Sequence, residues 1–281
     1  MTSPSELQVP FQIPCQGQRW PAPDRRYQEV VVFVHHYGGN RKSMRRHIQW
    51  VNELGFDAVS FNLSFNSWKK WRSLPLTSDL RFGLRHYWAE EVAKVLNSIS
   101  EKKILYSFSS PSAGAVHALA ERHCSDVKAW VCDGGPFFRI FRCFYNYLSH
   151  QAGLHNPALK LSLTLASYQT FPGYGYEEDM ARCLKIFPRD FPVLSVRGWL
   201  DPLVPPVAID EFFASQKHLD FEVLALPEGG HMDGLKNFPE EYIPRVKAFL
   251  LKQATAYKVL KARPRSEKSP EAPRRGRTVE S

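Results

Sequence analysis

Short apolar runs alternate with longer amphipathic segments along most of this chain. Residues 29–34 (EVVVFV) form the first strong run, and their β-branched side chains predict a strand that is covered on both faces. Residues 41–54 follow, with Met44, Ile48 and Val51 at helical spacing. By the same criteria, strands are predicted at 7–14, 57–63, 103–108, 129–133, 192–197 and 221–226, and helices at 78–98, 113–123, 207–217 and 239–257.

Strands that alternate with helices predict an α/β fold, with a mostly parallel central sheet and helices on both faces. The alternation stops after residue 133, because residues 137–186 contain an aromatic segment (FFRIFRCFYNYL) and no clear strand. We therefore expect a core formed by residues 1–136 and 187–257, a small helical cap inserted at 137–186, and a basic disordered tail at 258–281. Ligands of such sheets bind beyond the carboxyl ends of the strands, so the loops at those ends are the candidates for chemistry.

The charge of the chain is concentrated at its C-terminal end. Residues 252–281 hold nine Lys or Arg and three Glu, which is +6 of the total net charge of +9. We therefore expect no specific nucleic-acid partner for the folded part. The five cysteines show no metal-ligand spacing, so we expect no metal or other cofactor. The sequence shows no apolar membrane span and no signal-type leader, which favours a cytoplasmic protein. The sequence does not indicate an oligomeric state.

A serine lies between the predicted strand 103–108 and the next predicted helix. In the run SPSAG, Ser112 has small residues two positions to either side, namely Ser110 and Gly114. A tight strand-to-helix turn requires such small neighbours, and it would present the serine hydroxyl at the helix N-terminus. The amide of Ala113 would then point to the place where an oxyanion forms. The same run is also compatible with an ordinary polar turn.

Three further loops at predicted strand ends carry groups that catalysis by a serine requires. The loop after residues 29–34 reads HHYGGN and contains Tyr37, whose backbone amide is a candidate hydrogen-bond donor. Asp201 lies in GWLDPLVP after residues 192–197, and His231 lies in PEGGHMDG after residues 221–226. A carboxylate that orients an imidazole, which in turn accepts the proton of a serine, is the arrangement of a catalytic triad.

Taken together, these motifs resemble the α/β-hydrolase superfamily, whose nucleophile turn usually reads G-x-S-x-G. The resemblance implies that Ser112 is the nucleophile, His231 the base and Asp201 the acid, in the chain order of the family. It also implies an oxyanion hole formed by the backbone amides of Tyr37 and Ala113.

Two positions depart from the family pattern, and a second acid is possible. Ser110 stands where the nucleophile turn usually has its first glycine, and His36 stands where the loop before Tyr37 usually has a glycine. Asp133, at the end of the predicted strand 129–133, is the alternative acid, as in some family members. The remaining histidines show no metal-ligand spacing.

The function implied by the resemblance is that of a serine esterase. It would cleave a carboxylic ester through an acyl-enzyme, and the aromatic segment of the insertion suggests an apolar lid over the acyl group. The expected partner is therefore a small-molecule ester or a lipid. An amidase or aminopeptidase-type hydrolase would use the same triad. The substitutions at positions 36 and 110 favour a third possibility, a non-catalytic binding protein of the same fold.

Overall fold

The structure is a computed structural model that describes residues 12–64, 84–170 and 175–257. Its strands are β1 (Gln18–Trp20), β2 (Val30–Val34), β3 (Asp57–Ser60), β4 (Lys103–Phe108), β5 (Val127–Asp133), β6 (Pro192–Gly198) and β7 (Asp220–Leu226). They form one sheet in the order β1-β3-β2-β4-β5-β6-β7. Every neighbouring pair is parallel except β1 with β3. The predicted mostly parallel sheet is therefore confirmed.

Helices cover both faces of this sheet. The described helices are α1 (Arg45–Leu54), α2 (Leu84–Ser98), α3 (Ser112–Glu121), α4 (Ile140–His150), α5 (Pro157–Thr170), α6 (Tyr176–Lys185), α7 (Pro206–Ala214), α8 (Gly234–Asn237) and α9 (Pro239–Gln253). In the part of the chain that is described, none of them combines the length and the apolar character needed to cross a membrane.

The alternation of side chains along β2 divides the apolar core into two layers. Val30, Val32 and Val34 pack with α2 and α3 on one face of the sheet. Val31 and Phe33 pack with α1 and α9 on the other face. All five side chains are fully buried, as expected for a central strand of a parallel sheet. Because β2 to β7 are parallel, their carboxyl ends meet at a single edge of the sheet, where the loops with the candidate residues lie.

The segment between β5 and β6 contains the helices α4, α5 and α6. Only α6 contributes a continuous row of buried side chains to the core, through Tyr176, Met180 and Leu184. Helix α4 buries Ile140 and Cys143, whereas nearly all of α5 is exposed or half-buried. In the described part of residues 137–186, where we expected a cap, three helices thus pack to very different degrees.

The structure differs from the predicted elements at the N-terminus. Residues 7–11 of the predicted strand 7–14 lie outside the described residues, and residues 12–14 do not form a strand. The edge strand is β1 instead, which the pattern did not reveal because its three residues are too few to show alternation. The predicted helix 41–54 begins with a 3-10 turn, Arg41–Met44. The predicted start of α2 and the tail at 258–281 also lie outside the described residues.

Stability should depend on the central strands and very little on α5. Leu105 of β4 is fully buried. We expect Leu105→Ala to lower the free energy of unfolding by about 2–5 kcal/mol, because it leaves a cavity in the core. Leu159→Ala on α5 is the matched control, since Leu159 is 48% exposed and should change stability by only about 0.5 kcal/mol. Urea denaturation measures both; an equal loss in the two variants would contradict this division of the core.

Candidate active site

The imidazole of His231 joins a carboxylate and a hydroxyl. Its Nδ1 lies 2.6 Å from Asp201 Oδ2, and its Nε2 lies 2.9 Å from Ser109 Oγ. A carboxylate can only accept, so Nδ1 carries the proton, and Nε2 is then the acceptor for the Ser109 hydroxyl. The side chains of His231 and Asp201 are only 10% and 4% exposed. The expected contact between Asp201 and His231 is therefore present, but the serine is a different one.

Ser109 lies directly after β4, at the turn into α3. Its φ is +59°, in the left-handed region that residues other than glycine rarely adopt. Its amide donates to the carbonyl of Asp133 at 2.9 Å, and its own carbonyl accepts from the amide of Ser112 at 3.1 Å. These two hydrogen bonds hold the strained residue between the end of β4 and the first turn of the helix. The turn directs the Ser109 side chain away from the sheet, to His231.

The structure contradicts the expected contact between Ser112 and His231. Ser112 is the first residue of α3, is fully buried, and its hydroxyl lies 2.9 Å from Ser107 Oγ. Ser107 also accepts a hydrogen bond from the indole of Trp130 at 2.8 Å. The Ser112 hydroxyl therefore belongs to a buried chain of hydrogen bonds beneath the turn. The residue at the turn is the one that follows the strand, three positions earlier than expected.

The expected role of Ala113 fails for the same reason. The amide of Ala113 donates to the carbonyl of Ser110 at 3.1 Å, inside the first turn of α3. An amide that is already bonded in a helix cannot serve an oxyanion. The sequence contained a signal for Ser109, because the strand 103–108 was predicted to end at Phe108 and the nucleophile turn of this fold begins immediately after its strand. The residues two positions before and after Ser109 are Ser107 and Pro111.

Two glycines after β5 make room for this turn. A Cβ at Gly135 would lie 2.4 Å from the carbonyl oxygen of Ser109, closer than real Cβ atoms approach. A Cβ at Gly134 would lie 3.2 Å from Cε1 of the His231 ring, and the φ of Gly134 is +63°. The sequence Gly134-Gly135 therefore allows the β5 loop to pass directly beside both residues. No role was predicted for these two glycines from the sequence.

The Asp201 and His231 loops are packed backbone against backbone. A Cβ at Gly198 would lie 2.1 Å from the carbonyl oxygen of Gly229, and the amide of Leu200 donates to that same oxygen at 2.9 Å. The second oxygen of Asp201, Oδ1, accepts from the amides of Leu203 and Val204 at 2.7 and 3.0 Å. The carboxylate is thereby fixed from both sides, which orients the His231 ring.

The loop after β2 places one histidine in the core and leaves the next at the surface. His35 is fully buried, donates from Nδ1 to the carbonyl of His36, and accepts at Nε2 from the amide of Leu63 at 3.0 Å. Burial lowers the pKa of His35 to about 4, so the ring is neutral. His36 is half-buried and its φ is not in the left-handed region, so a side chain fits at this position. Tyr37 follows, 45% exposed.

The alternative acid, Asp133, is bonded to a tyrosine instead of His231. Tyr242 of α9 donates from its hydroxyl to Asp133 Oδ2 at 2.6 Å. Tyr242 is in turn hydrogen-bonded to Tyr106 and lies 3.3 Å from His47 Nε2. Burial raises the pKa of Asp133 to about 7, and the hydrogen bond from Tyr242 offsets only part of this shift. Asp133 thus belongs to a buried polar network with Tyr242, Tyr106 and His47.

The structure also brings together a group that the spacing of the histidines did not reveal. Ligand atoms of His86, His117 and Asp179 lie within 4.8 Å of one another, at the contact of α2, α3 and α6. Two histidines and a carboxylate suit zinc. However, both oxygens of Asp179 already lie near guanidinium groups, Arg85 at 3.1 Å and Arg182 at 3.0 Å. Their positive charge opposes a divalent cation there, so the group fits an ion-pair cluster better than a metal site.

Comparisons with known proteins agree with this architecture. No family model and no curated protein matches the chain. Among solved structures, esterase Pf2001 of Pyrococcus furiosus has a TM-score of 0.63 and 18% identity, over 85% of this chain and 86% of its own. A putative aryl esterase of Burkholderia cenocepacia has a TM-score of 0.55 and 16% identity, over 84% and 94%. The mouse alpha/beta hydrolase domain-containing protein 10 has a TM-score of 0.53 and 16% identity, over 84% and 93%.

These similarities, together with the order and direction of the strands, show that the chain has the α/β-hydrolase fold. The resemblance seen in the sequence is therefore confirmed at the level of the fold.

The buried carboxyl of Asp133 should make stability depend on pH in a defined direction. In the unfolded chain an aspartate has a pKa of about 3.9, whereas burial raises the pKa of Asp133 to about 7 in the folded protein. Between these values the folded protein holds a proton that the unfolded chain releases, so the free energy of unfolding falls as the pH rises.

The Asp133→Asn variant lacks this titration but keeps an acceptor for Tyr242. The free energy of unfolding of the wild-type protein, measured relative to the variant by urea denaturation, should decline across that pH window and level off above it. A difference that stays constant over the window would show that the pKa of Asp133 is not raised.

Proposed function

We propose that this protein is a serine hydrolase that cleaves carboxylic esters, with Ser109 as nucleophile, His231 as base and Asp201 as acid. One observation carries the proposal: a single imidazole is hydrogen-bonded to a carboxylate through Nδ1 and to a hydroxyl through Nε2. The left-handed backbone of Ser109 is further support, because the nucleophile of this fold occupies a strained strand-to-helix turn.

The reaction follows from the protonation states of these groups. His231 Nε2 takes the proton of Ser109 as its oxygen attacks the carbonyl carbon of the ester, and Asp201 stabilises the imidazolium that forms. When the tetrahedral intermediate collapses, the imidazolium gives its proton to the departing alcohol and an acyl-enzyme remains. A water molecule, deprotonated by the same imidazole, then attacks the acyl-enzyme and restores Ser109.

The oxyanion is stabilised by the backbone amides of Ser110 and Tyr37. Ser110 takes the place of Ala113 because it is the residue that follows Ser109. Within the described part of the chain, the amide of Ser110 has no hydrogen-bond acceptor. Tyr37, the donor predicted from the sequence, is retained as the second amide. It lies on the loop that follows β2, and β2 is the neighbour of β4 in the sheet. Amides fixed in advance are effective because they need no reorganisation as the charge develops.

Aromatic side chains around the site favour an ester with an apolar acyl group. The ring of Phe137 lies edge-on to His231, with centroids 6.0 Å apart. Tyr37 packs against Trp88 of α2 and Tyr147 of α4, with centroids 6.2 and 5.9 Å apart. Apolar walls with few polar groups are typical of sites for apolar ligands. The names of several structures of similar fold, which are esterases, agree with this substrate class.

The serine is identified by two matched substitutions. Ser109→Ala should lower kcat/KM for p-nitrophenyl acetate by about four orders of magnitude or more, because no nucleophile remains. Ser112→Ala should retain activity within about tenfold, since it removes only a buried hydrogen bond. Labelling by a fluorophosphonate probe should disappear in the first variant alone. Loss of labelling in Ser112→Ala, with Ser109→Ala still active, would assign the reaction to the other serine.

The acid is identified in the same way. Asp201→Asn should lower kcat by about three to four orders of magnitude, because the amide no longer stabilises the imidazolium or its tautomer. Asp133→Asn should keep kcat within about tenfold, because Asp133 is bonded to Tyr242. The reverse order of effects would make Asp133 the acid.

Two controls separate the proposal from its rivals. A p-nitroanilide with the same acyl group as the ester is the substrate that an amidase would cleave, and it should react far more slowly than the ester. A binding protein with an inactive serine would leave the fluorophosphonate probe unreacted, whereas we expect the wild-type protein to be labelled.

A further inference from the structure

The two edges of the sheet differ in length. One edge strand is β1 (Gln18–Trp20), which has three residues, whereas the other is β7 (Asp220–Leu226), which has seven. In the part of the chain that the structure describes, β7 pairs with β6 alone. An edge strand of this length presents a row of backbone groups to which another strand can bind.

Every second residue of β7 directs its backbone groups away from β6. The amide of Asp220 donates to the carbonyl of Phe191 at 3.2 Å, and the carbonyl of Leu226 accepts from the amide of Trp199 at 3.0 Å. Both ends of β7 are therefore bonded on the β6 side. Because the direction of these groups alternates along a strand, the residues that face outward are Phe221, Val223 and Ala225. Among the described residues, their amides and carbonyls have no other partner.

The outer side of β7 lacks the features that normally protect an edge strand. None of its three outward-facing residues is charged or a proline, and both Val223 and Ala225 are exposed. The pairing of β7 with β6 is regular and contains no bulge. The two acidic side chains of the strand, Asp220 and Glu222, lie on the face that α9 covers, where each is 3.1 Å from the Lys252 ammonium. Natural edge strands are usually blocked by a lysine, a proline or a bulge, so this edge is open to pairing.

The outward-facing residues of β7 are complementary to themselves. If two copies of the strand pair antiparallel about Val223, Phe221 of each copy lies opposite Ala225 of the other, and Val223 lies opposite Val223. Each of these residues then exchanges both its amide and its carbonyl with the second copy. The largest of the three side chains also meets the smallest, so the contact fits without a clash.

Neighbouring registers of this pairing are disfavoured. Moving the axis by one residue toward the N-terminus places Glu222 opposite Glu222 of the second copy, which brings two negative charges together. Moving it by one residue toward the C-terminus places Pro227, which has no amide hydrogen, opposite Phe221. Pairing about Val223 avoids both, so the strand has one preferred register.

We propose that β7 pairs with β7 of a second copy of this chain, so that the two sheets join into one across a twofold axis at Val223. A twofold axis suits this contact because it brings the same surface of both copies together. The contact lies at the edge of the core and does not involve Ser109. It does not depend on the proposed hydrolase activity.

The charges at the two ends of β7 favour a second copy over an unrelated strand. Lys217 lies in the turn before the strand, Glu228 lies in the turn after it, and both are exposed. Antiparallel pairing about Val223 brings the turn with Lys217 of one copy to the turn with Glu228 of the other. Opposite charges thus approach each other at both ends of the paired strands, which favours this partner and this orientation.

Sedimentation velocity tests the contact. At about 10 µM the wild-type chain should sediment as a dimer. Val223→Lys should raise the dissociation constant by about hundredfold or more, because it places two ammonium groups at the axis of the paired edges. Val207→Lys is the matched control. Val207 of α7 is 49% exposed, and its replacement should leave the dissociation constant within about twofold.

Cysteine cross-linking tests the register. Directly opposite residues of a hydrogen-bonded antiparallel pair have Cα atoms about 5.5 Å apart, which is within the range of a disulfide. Val223→Cys should therefore form a covalent dimer when diamide is added as the oxidant. Ala225→Cys should not, because it lies opposite Phe221. The wild-type chain is the background control, since four of its five cysteines are buried. These variants carry no new charge, so they test the contact even if Val223→Lys does not fold.

Four results would overturn the proposal. A wild-type chain that stays monomeric up to about 0.1 mM would show that water covers the edge. A dimer that Val223→Lys leaves intact would place the contact elsewhere, and efficient cross-linking of Ala225→Cys instead of Val223→Cys would exclude the register. Amides of Phe221, Val223 and Ala225 that exchange slowly with solvent even in the diluted monomer would show that a segment of the same chain covers the edge.

Association and hydrolysis can be measured separately. Ser109→Ala should form the dimer like the wild-type protein, and Val223→Lys should hydrolyse p-nitrophenyl acetate like the wild-type protein. Failure of either proposal is therefore visible without affecting the test of the other.

Discussion

The close approach of two backbone segments at the ends of β4 and β5 determines the geometry of the candidate site. Ser109 has a left-handed backbone, which costs a residue with a side chain roughly 1–2 kcal/mol. The conformation persists because its amide is bonded to the carbonyl of Asp133 and because Gly135 leaves space for its own carbonyl. Without this turn, the Ser109 side chain would continue the alternation of β4 and point into one of the two cores. The strain is thus the means by which a buried strand presents a hydroxyl at its end.

Similar backbone contacts hold the partner of that hydroxyl. The loops that follow β6 and β7 touch at Gly198 and Gly229, where no side chain would fit. Asp201 is bonded on one oxygen to two backbone amides and on the other to the imidazole. The position of the His231 ring is therefore set by rigid strand ends, although the residue itself lies on a loop. This arrangement suits a base that must accept and return a proton at one fixed atom.

The inserted helices between β5 and β6 differ in what they do. Helix α6 buries Tyr176 and Met180 and is tied to the core by Asp179, which lies near Arg85 and His117. Helix α4 brings Tyr147 against Tyr37 of the loop after β2. Among the described elements, helix α5 packs mainly against α4 and leaves four leucines exposed. This segment thus combines a helix anchored in the core, a helix that contacts the loop after β2, and a helix with exposed leucines.

Much of this architecture was predictable from local patterns. The continuous β-branched run at 29–34 predicted a central strand because a strand covered on both faces has no polar side. Asp201 and His231 were predictable because each follows a strand of a parallel sheet, and such strands end at one edge. The identity of the serine was not predictable, because residues 107–112 (SFSSPS) contain four serines in six positions. Only the backbone direction at the end of β4 distinguishes Ser109 from Ser112, which are about one helical turn apart.

Sequence alone therefore determined the class of fold and the loops in which the candidate residues lie, because hydrophobic periodicity is local and strongly expressed in buried strands. The tertiary structure decided which atoms meet: Ser109 with His231, Asp133 with Tyr242, and His86 with His117 and Asp179. These contacts join residues that are distant in the chain or depend on a single φ angle. Neither the spacing nor the composition of a sequence contains that information.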